Sequence, residues 1–568
     1  MRLQMPTALL IMKKSLDAIK FRGGMCKMSS KARWYTGLVA TAVGLAAITG
    51  CVSNSKNEGK DAAPTNTGTA KPSSASPNVT DSNLNPSGFP IVNNKINVKM
   101  VGLQGAGNPP LDQMPVYKEY EKMTNIHIDW TSIPSENAAE KKSLIFASNN
   151  LPDAFTAGLN DQEVMANGSN GTLIPLEGLI DKYAPNLKKL FEAHPEYRKQ
   201  LVTPEGHIYA LPHINEFSSA ETVLMWINQT WLDKLHLQVP QNKDELYKVL
   251  KAFKEGDPNG NGKPDEIPFS FTKDDLNLFI ANVFGLLNYK NIVVGDDGKI
   301  IPTAMDPRYK EALQYLNKLH AEKLLDPEMF SLTSEQQNAK GANEQLGAYF
   351  HWSIITAGAK LENQYVAFAP MEYNGKRATY LNSPLGRGQF AITKAAKSPE
   401  ALIRWADYFF SPEGTKMAEY GPKGTGYVDN ADGTWEQAPI PQGMTSVQFR
   451  LSMTPSAGGS MPYYYSSSLL DATKLGDYDK KVLSSATKHN MPYAKMAFPN
   501  TYMTEDEQKK VASIQTDIAN YVTQMEVKFI MGDTSFDQWD KFMDTLKKMQ
   551  IDEIVNVYQK VYDRYQSQ

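Results

Sequence analysis

Cysteine is almost missing from this chain. Of 568 residues, two are cysteine, Cys26 and Cys51. Both precede the globular part, so no disulfide is expected there and the fold must rest on its core. Common enzyme signatures are missing too. There is no GxSxG, no HExxH and no Walker A, and the eight histidines are scattered without zinc-like spacing. This argues against serine-hydrolase, zincin and P-loop chemistry. It leaves a carboxylate-pair glycoside hydrolase open, since any two acids can meet in a fold. Internal repeats are absent. The one strongly apolar run, Gly37 to Thr49, is too short to span a bilayer as a helix. Beyond the start of the chain, acids outnumber bases. The formal net charge is −3, and residues 1–50 hold eight Lys/Arg against one acid, so the remainder carries about −10. An acidic protein of this kind suits neither nucleic acid nor electrostatic docking on an anionic bilayer.

The first fifty residues read as a leader. Lys27, Lys31 and Arg33 precede the apolar run, and Gly50-Cys51 follows it. Met25 or Met28 is a more natural start for a leader of ordinary length. Ala47-Ile48-Thr49-Gly50-Cys51 resembles a bacterial lipobox, in which cleavage falls before a lipidated cysteine. Stable anchoring needs more than one acyl chain, which such lipoproteins carry, palmitate among them. A plain signal peptide with an incidental Cys51 is the alternative. Val52 to Pro90 is rich in Ser, Asn, Thr, Pro and Gly, with almost no large apolar residue. It cannot bury enough surface to fold and reads as a tether reaching roughly 35 Å.

Beyond the tether, 41% apolar content and ordinary charge predict a large globule of two or more lobes. Ile96, Val98 and Met100 alternate with polar residues, a helix is expected over 114–123, and Ile126, Ile128 and Trp130 alternate again. A helix over about 136–148 and extended chain at 151–155 follow. Strand, helix, strand, helix, strand is the pattern of a mainly parallel α/β sheet. Asn242 opens a capping pattern with Glu245, ahead of Leu246, Val249, Leu250 and Phe253 at helical spacing. Ser398-Pro399-Glu400 predicts another helix start, and several helices are expected from about 505 onward.

The sharpest local signal is Asp257-Pro258-Asn259-Gly260-Asn261-Gly262-Lys263-Pro264-Asp265-Glu266. Oxygen side chains fall at positions 1, 3, 5 and 9, with glycine at 6, as in an EF-hand-type loop. Pro268 stands at position 12, where such loops carry Glu. Glu266 can supply that carboxylate and Lys263 a backbone carbonyl. A structural calcium ion is expected, against the alternative of a surface turn that binds nothing. Gly102, Gly105 and Gly107 follow a strand but do not form the dinucleotide fingerprint, and read as a flexible turn. Aromatic runs at Phe350-His351-Trp352 and Tyr463-Tyr464-Tyr465, with Trp435, suit stacking on sugar faces. For each ring taken singly, core packing is the commoner role.

Several segments together resemble one family. They are Ile174-Pro175-Leu176-Glu177 with Tyr183-Ala184-Pro185-Asn186, Ile208-Tyr209-Ala210-Leu211-Pro212, Ile227-Asn228 with Trp231 to Leu235, the oxygen-rich loop, and Tyr558-Gln559 with Tyr562 to Tyr565. The chain resembles the type II, maltose-binding-like solute-binding proteins of carbohydrate ABC importers, in the lipoprotein branch that includes alginate-oligosaccharide binders. Thr124-Asn125-Ile126 departs from the family's Thr-Gly-Ile, and Asn tolerates the left-handed backbone required there.

The resemblance implies two α/β lobes joined by hinge strands, with ligand gripped between them. It implies a signal peptide over 1–50 and an anchor and tether over 51–90. The first lobe would comprise 91–215 and 369–425, and the second 216–368 and 426–568. Asp257, Asn259, Asn261, Lys263, Asp265 and Glu266 match the family's calcium ligands. Trp352 matches a sugar-stacking Trp, with Asp153 and Arg387 near cleft loops. His351, Tyr463 and Tyr464 complete the ligand candidates. The expected role is capture of an oligosaccharide by a monomer anchored through Cys51 on the extracellular face of the membrane, and delivery to permease subunits without catalysis. A surface polysaccharide-degrading enzyme and a lipoprotein presenting ligand to a sensory kinase are the competing readings.

Overall fold

The computed structural model describes residues 83–148, 150–216, 223–351, 361–455 and 461–568. The leader, Cys51 and most of the tether fall outside these residues. Two sheets organise the described chain. The larger has six strands in the order β15-β4-β12-β3-β1-β2. These are β1 (Ile96–Gln104), β2 (Ile126–Pro134), β3 (Ala154–Thr156), β4 (Leu211–Asn215), β12 (Leu385–Ile392) and β15 (Tyr463–Tyr465). All run parallel except β12, which is antiparallel to both its neighbours. The smaller has four strands, β5 (Leu224–Asn228), β6 (Ile267–Ser270), β9 (Leu346–His351) and β10 (Tyr365–Phe368), in the order β10-β5-β9-β6. Three two-stranded ribbons complete the set: β7 (Ile292–Val294) with β8 (Ile300–Pro302), β11 (Thr379–Tyr380) with β16 (Ala494–Lys495), and β13 (Tyr427–Asp429) with β14 (Trp435–Gln437).

The expected strand-helix alternation is present. Helices Pro115–Thr124 and Ala138–Ala147 separate β1, β2 and β3. Both faces of the large sheet are buried. Along β1, Val98 and Met100 enter one core cluster and Val101 the other, as a strand's period of two requires. In the small sheet, Met225 and Ile227 face one cluster, and Leu224 and Trp226 face the other. Two lobes result, each with a sheet buried on both sides.

Local signals work as the chemistry demands. Asn242 accepts from the Asp244 and Glu245 N–H groups, and Leu246, Val249, Leu250 and Phe253 form the buried stripe of helix Lys243–Glu255. Asn125 closes helix Pro115–Thr124 at φ 60° and ψ 24°, so asparagine does take the left-handed turn there. Ser398 differs from expectation. Pro399 opens the helix, but the Ser398 side chain makes no capping hydrogen bond. The recurring segments find their reason in tertiary contacts. The Glu177 carboxylate pairs with His207 at 2.6 Å and accepts the Ile208 N–H, joining two of them. Asp407 accepts from the Asn186 and Leu187 N–H groups and caps helix Pro185–Ala193 from across the fold.

One boundary lies elsewhere than expected. Tyr427, Trp435, Met461, Tyr463, Tyr465 and Leu469, assigned above to the second lobe, pack into the large-sheet lobe. The cause is β15, which adds to the sheet edge in parallel with β4. Similarly, Met371 packs into the second lobe's core, so the return to the large sheet comes at Leu385 rather than at 369.

Helix Glu505–Met531 carries a buried acid into the second lobe. Glu526 accepts the Tyr309 hydroxyl at 2.6 Å. Burial raises its carboxyl from the usual 4.5 to about 7, which that hydrogen bond only partly offsets. A raised folded pKa means that the stability is fully present below pH 4.5 and is lost as pH rises through 7. The full cost is about 3 kcal/mol. Glu526→Gln keeps an acceptor for Tyr309 and should erase the fall in Tm between pH 5 and pH 8 that this carboxyl causes. An identical fall in the variant would refute the assignment.

Candidate functional site

Chain crossings define which sheet ends face each other. After β4 the chain crosses to β5, and after β10 it returns to β12. The carboxyl end of β4 and the start of β12 lie at one end of the large sheet. The carboxyl ends of β1, β3 and β15 share that end, because these strands run parallel to β4. In the small sheet the start of β5 faces this way, with the carboxyl ends of β9 and β10. Ligands of open α/β sheets bind outside carboxyl strand ends, where connections diverge.

A cavity of about 680 Å³ lies there, within the usual range for small-molecule sites. The large-sheet lobe contributes the loop Leu159–Gln162 after β3 and Leu385–Arg387 at the start of β12. The opposite wall carries Tyr289, Lys290, the segment Phe498–Thr501, one face of helix Glu505–Met531, and Tyr558. Tyr289 and Phe498 stack at 5.0 Å with 15° between planes, and Tyr558 meets both edge-on. Planar polar groups complete the lining: Asn160, Gln162, Asn500, Gln508 and Gln515. Stacked rings beside amides match the two surfaces of a sugar, apolar C–H faces and in-plane hydroxyls.

The loop is held from both sides. Asn160 and Glu163 cap the following helix reciprocally. Lys142, buried, donates to the Glu163 carboxylate at 2.7 Å and to the Gly158 carbonyl at 2.8 Å. On the other side Arg387 grips Asp161 with Nε at 3.0 Å and a second short contact. Its guanidinium lies 4.3 Å from the Tyr502 ring centre. Arg387 is thus brought to the cavity. Asn160, Lys142 and Glu163 were missed, although Asn160 to Glu163 repeats the capping pattern seen at Asn242.

The other candidates divide. Asp153 stands at the far end. Its carboxylate accepts the Lys99 N–H at 2.7 Å and its carbonyl the Thr393 N–H, and Thr393 follows the last residue of β12. It ties strand ends together away from the cleft, so its expected place near a cleft loop does not hold. Tyr463 is buried and stacks on His213 at 5.6 Å, which is the core role. Trp435 is buried too, with its indole N–H on the Leu469 carbonyl. Tyr464 is half-buried and donates to Glu216 at 3.0 Å, alongside Tyr197 at 2.9 Å. Burial pushes the Glu216 carboxyl up, but hydrogen bonds from the Ser467 N–H and the two tyrosines more than offset it, holding it below the usual range. Glu216, just beyond β4, had no motif to flag it. His351 ends β9 at the cleft-facing edge, and its carbonyl accepts the Trp226 indole at 3.0 Å. Trp352 lies in 352–360, outside the described residues.

The oxygen-rich loop precedes β6. Asp257 adopts φ 45°, and Gly260 and Gly262 are also left-handed. The Asp257 carboxylate accepts the Gly262 N–H at 3.1 Å, and the Asn259 and Asn261 amides donate to Asp265. Glu266 Oε1 is buried without a partner. Burial raises the Glu266 carboxyl, and Asp257 and Asp265 raise it further. A cation would relieve that repulsion, and the all-oxygen donor set suits a hard one. Among the described residues no three acids, histidines or cysteines converge as a ready-made metal centre. The loop's remaining oxygens are amide and backbone groups.

With this geometry in hand, the comparisons are direct. The profile of the family described as bacterial extracellular solute-binding protein matches residues 107–416, more than half of the chain. The protein belongs to that family. It is 32% identical over 476 residues to the fructooligosaccharide ABC transporter substrate-binding protein FusA of Streptococcus pneumoniae serotype 4 (strain ATCC BAA-334 / TIGR4), covering 80% of this chain and 87% of that one. The structure of FusA in complex with kestose aligns with TM-score 0.68 at 30% identity, over 83% of this chain and all of that one. A further FusA structure is of an EF-hand mutant in complex with fructo-nystose, with TM-score 0.67 over the same shares at 30% identity. Lipoprotein LipO of Bacillus subtilis (strain 168) is 24% identical over 345 residues, 56% of this chain and 65% of that one.

Proposed function

We propose that this protein captures an oligosaccharide outside the cell, in the cavity between its two lobes, and presents it to the permease of an ABC importer. The observation that carries the reading is the 680 Å³ cavity walled by both lobes, with stacked Tyr289 and Phe498 opposite planar polar groups. Kinship with a fructooligosaccharide-binding protein supports it. Lobe closure would remove water from the sugar, and a closed form differs in shape from an open one, which a permease can read. Trp352 is proposed as a stacking platform, since it follows His351 at the cleft-facing end of β9. No part of this role needs bond cleavage, and none is proposed. Calorimetric titration with kestose, nystose and a panel of other neutral oligosaccharides tests the reading. Saturable binding without any change in the sugar is expected. Silence across the whole panel would overturn it, and release of smaller sugars would make the protein an enzyme.

Calcium belongs to the same proposal. The ion would be held by Asp257, Asn259, Asn261, Asp265, Glu266 and the Lys263 carbonyl, supplying charge that lets three acids share one loop. An ion bound at a hundred times its Kd stabilises the native state by about 2.7 kcal/mol. Chelator should therefore lower the Tm by several degrees, and Asp257→Ala should remove that sensitivity. A Tm indifferent to chelator, with no heat on calcium titration, would eliminate the ion.

A further inference from the structure

A second cavity, of about 630 Å³, opens within the small-sheet lobe. Its walls are the end of helix Leu276–Phe284, the stretch Val293–Asp296, the start of helix Pro307–Ala321, the tight turn at Tyr373–Arg377, and Lys495–Ala497. The chain as a whole is acidic, yet four cations line this space against two acids.

The pairing leaves a remainder. Arg308 is matched to Asp306, with Nε at 2.9 Å and Nη2 at 2.7 Å. Lys376 is matched to Asp296 at 2.8 Å. Glu311, just outside, already takes the Tyr373 hydroxyl at 2.6 Å and Lys243 at 3.6 Å. Arg377 instead donates to the Pro370 carbonyl and to Gln241 Oε1, and lies 5.9 Å from the Tyr493 ring centre. Among the described residues neither Arg377 nor Lys495 forms an ion pair with a carboxylate. Among the described residues the lining thus holds two more cations than acids, with Asp296 in the electrostatic reach of Lys495 as well as paired to Lys376.

The rest of the lining decides between anions. Phe284, Leu287, Val293, Met496 and Ala497 make part of the wall apolar. A bare inorganic anion would satisfy the cations, but it would leave the apolar wall and most of the volume unused. A sugar ring bearing a carboxylate uses both, with its C–H face on the apolar wall and its carboxylate on a guanidinium fork and an ammonium. We propose that this cavity binds an acidic saccharide, the carboxylate of a uronate-type sugar being held by Arg377 and Lys495. The site shares no lining residue with the interlobe cavity and stands whether or not that cavity takes neutral sugars.

The test is calorimetric titration of the purified protein with digalacturonate, alone and after saturation with kestose. Binding is expected in both cases, weakening as sodium chloride is raised. Lys495→Gln removes an exposed charge at little risk to the fold and should weaken binding several-fold. Adding Arg377→Gln should bring the loss to about tenfold or more, as for losing charge-assisted hydrogen bonds, with kestose titrating as in wild type. Digalacturonate binding with these losses, even in a protein that ignores kestose, would sustain this site while refuting the cleft reading. No binding of digalacturonate, its displacement by kestose, or unchanged affinity in both variants would overturn the proposal. Sodium sulfate binding as tightly would overturn the sugar assignment.

Discussion

Arg387→Ala should weaken oligosaccharide binding by about ten- to a hundredfold, roughly 1.4–2.8 kcal/mol, with a smaller loss of thermal stability. Arg387 joins the start of β12 to the loop after β3 through Asp161, and its plane rests on Tyr502. Without it the loop Leu159–Gln162 keeps its cap and its tie to Lys142, but loses the grip that sets its position against the opposite lobe. Ordering the loop must then be charged against binding. Arg387→Lys keeps the charge and loses the two-point geometry, so it should recover only part of the affinity. Calorimetry and thermal melts on both variants separate the roles. A destabilised Arg387→Ala protein with normal affinity per folded molecule would show that the residue serves the fold alone.

Cys51→Ala should abolish membrane retention altogether. On the sequence reading, Cys51 is the lipid attachment, followed by a stretch too polar to hold a bilayer, and among the described residues no helix is long and apolar enough to cross one. The expected products are an unprocessed or soluble form that incorporates no labelled fatty acid. Sugar affinity in the soluble fraction should match wild type, because Cys51 is distant in sequence from every residue that lines the cavity, Leu159 being the first of them. Unchanged retention in the membrane fraction would remove the anchor from Cys51.

Much of the fold was legible because its signals are local. The alternation at Ile96 to Met100, the stripe from Leu246 to Phe253 and the cap at Asn242 each follow from a few neighbouring side chains. The resemblance carried the two-lobed class, and the family match upholds it. Errors fell where a strand or side chain finds its partner far along the chain. Tyr463 to Tyr465 read as an aromatic run open to a ligand, yet pairing with His213 to Asn215 turns Tyr463 into the core. The same pairing moved Tyr427, Trp435, Met461, Tyr465 and Leu469 into the first lobe. Asp153 was expected near a cleft loop but stands just before β3, at the end away from the cleft, since the strand's direction relative to the cleft depends on where β4 and β12 connect.

The sequence by itself supplied the expectation of a leader before a lipobox-like Cys51 and of a polar tether, and it determined an α/β globule, an oxygen-rich loop and the likeness to sugar-binding proteins. Each is a matter of composition, short periodicity or spacing. Only the tertiary structure decided which residues wall the cavity. Asp161 and Arg387 are 226 positions apart, and Tyr289 meets Phe498 across a comparable span. It alone also showed that, among the described residues, Arg377 and Lys495 form no carboxylate ion pair beside a second cavity. The physical reason is that charge pairing, ring stacking and burial depend on distance in space, and in a two-lobed chain that crosses between its lobes, neighbours in space are seldom neighbours in sequence.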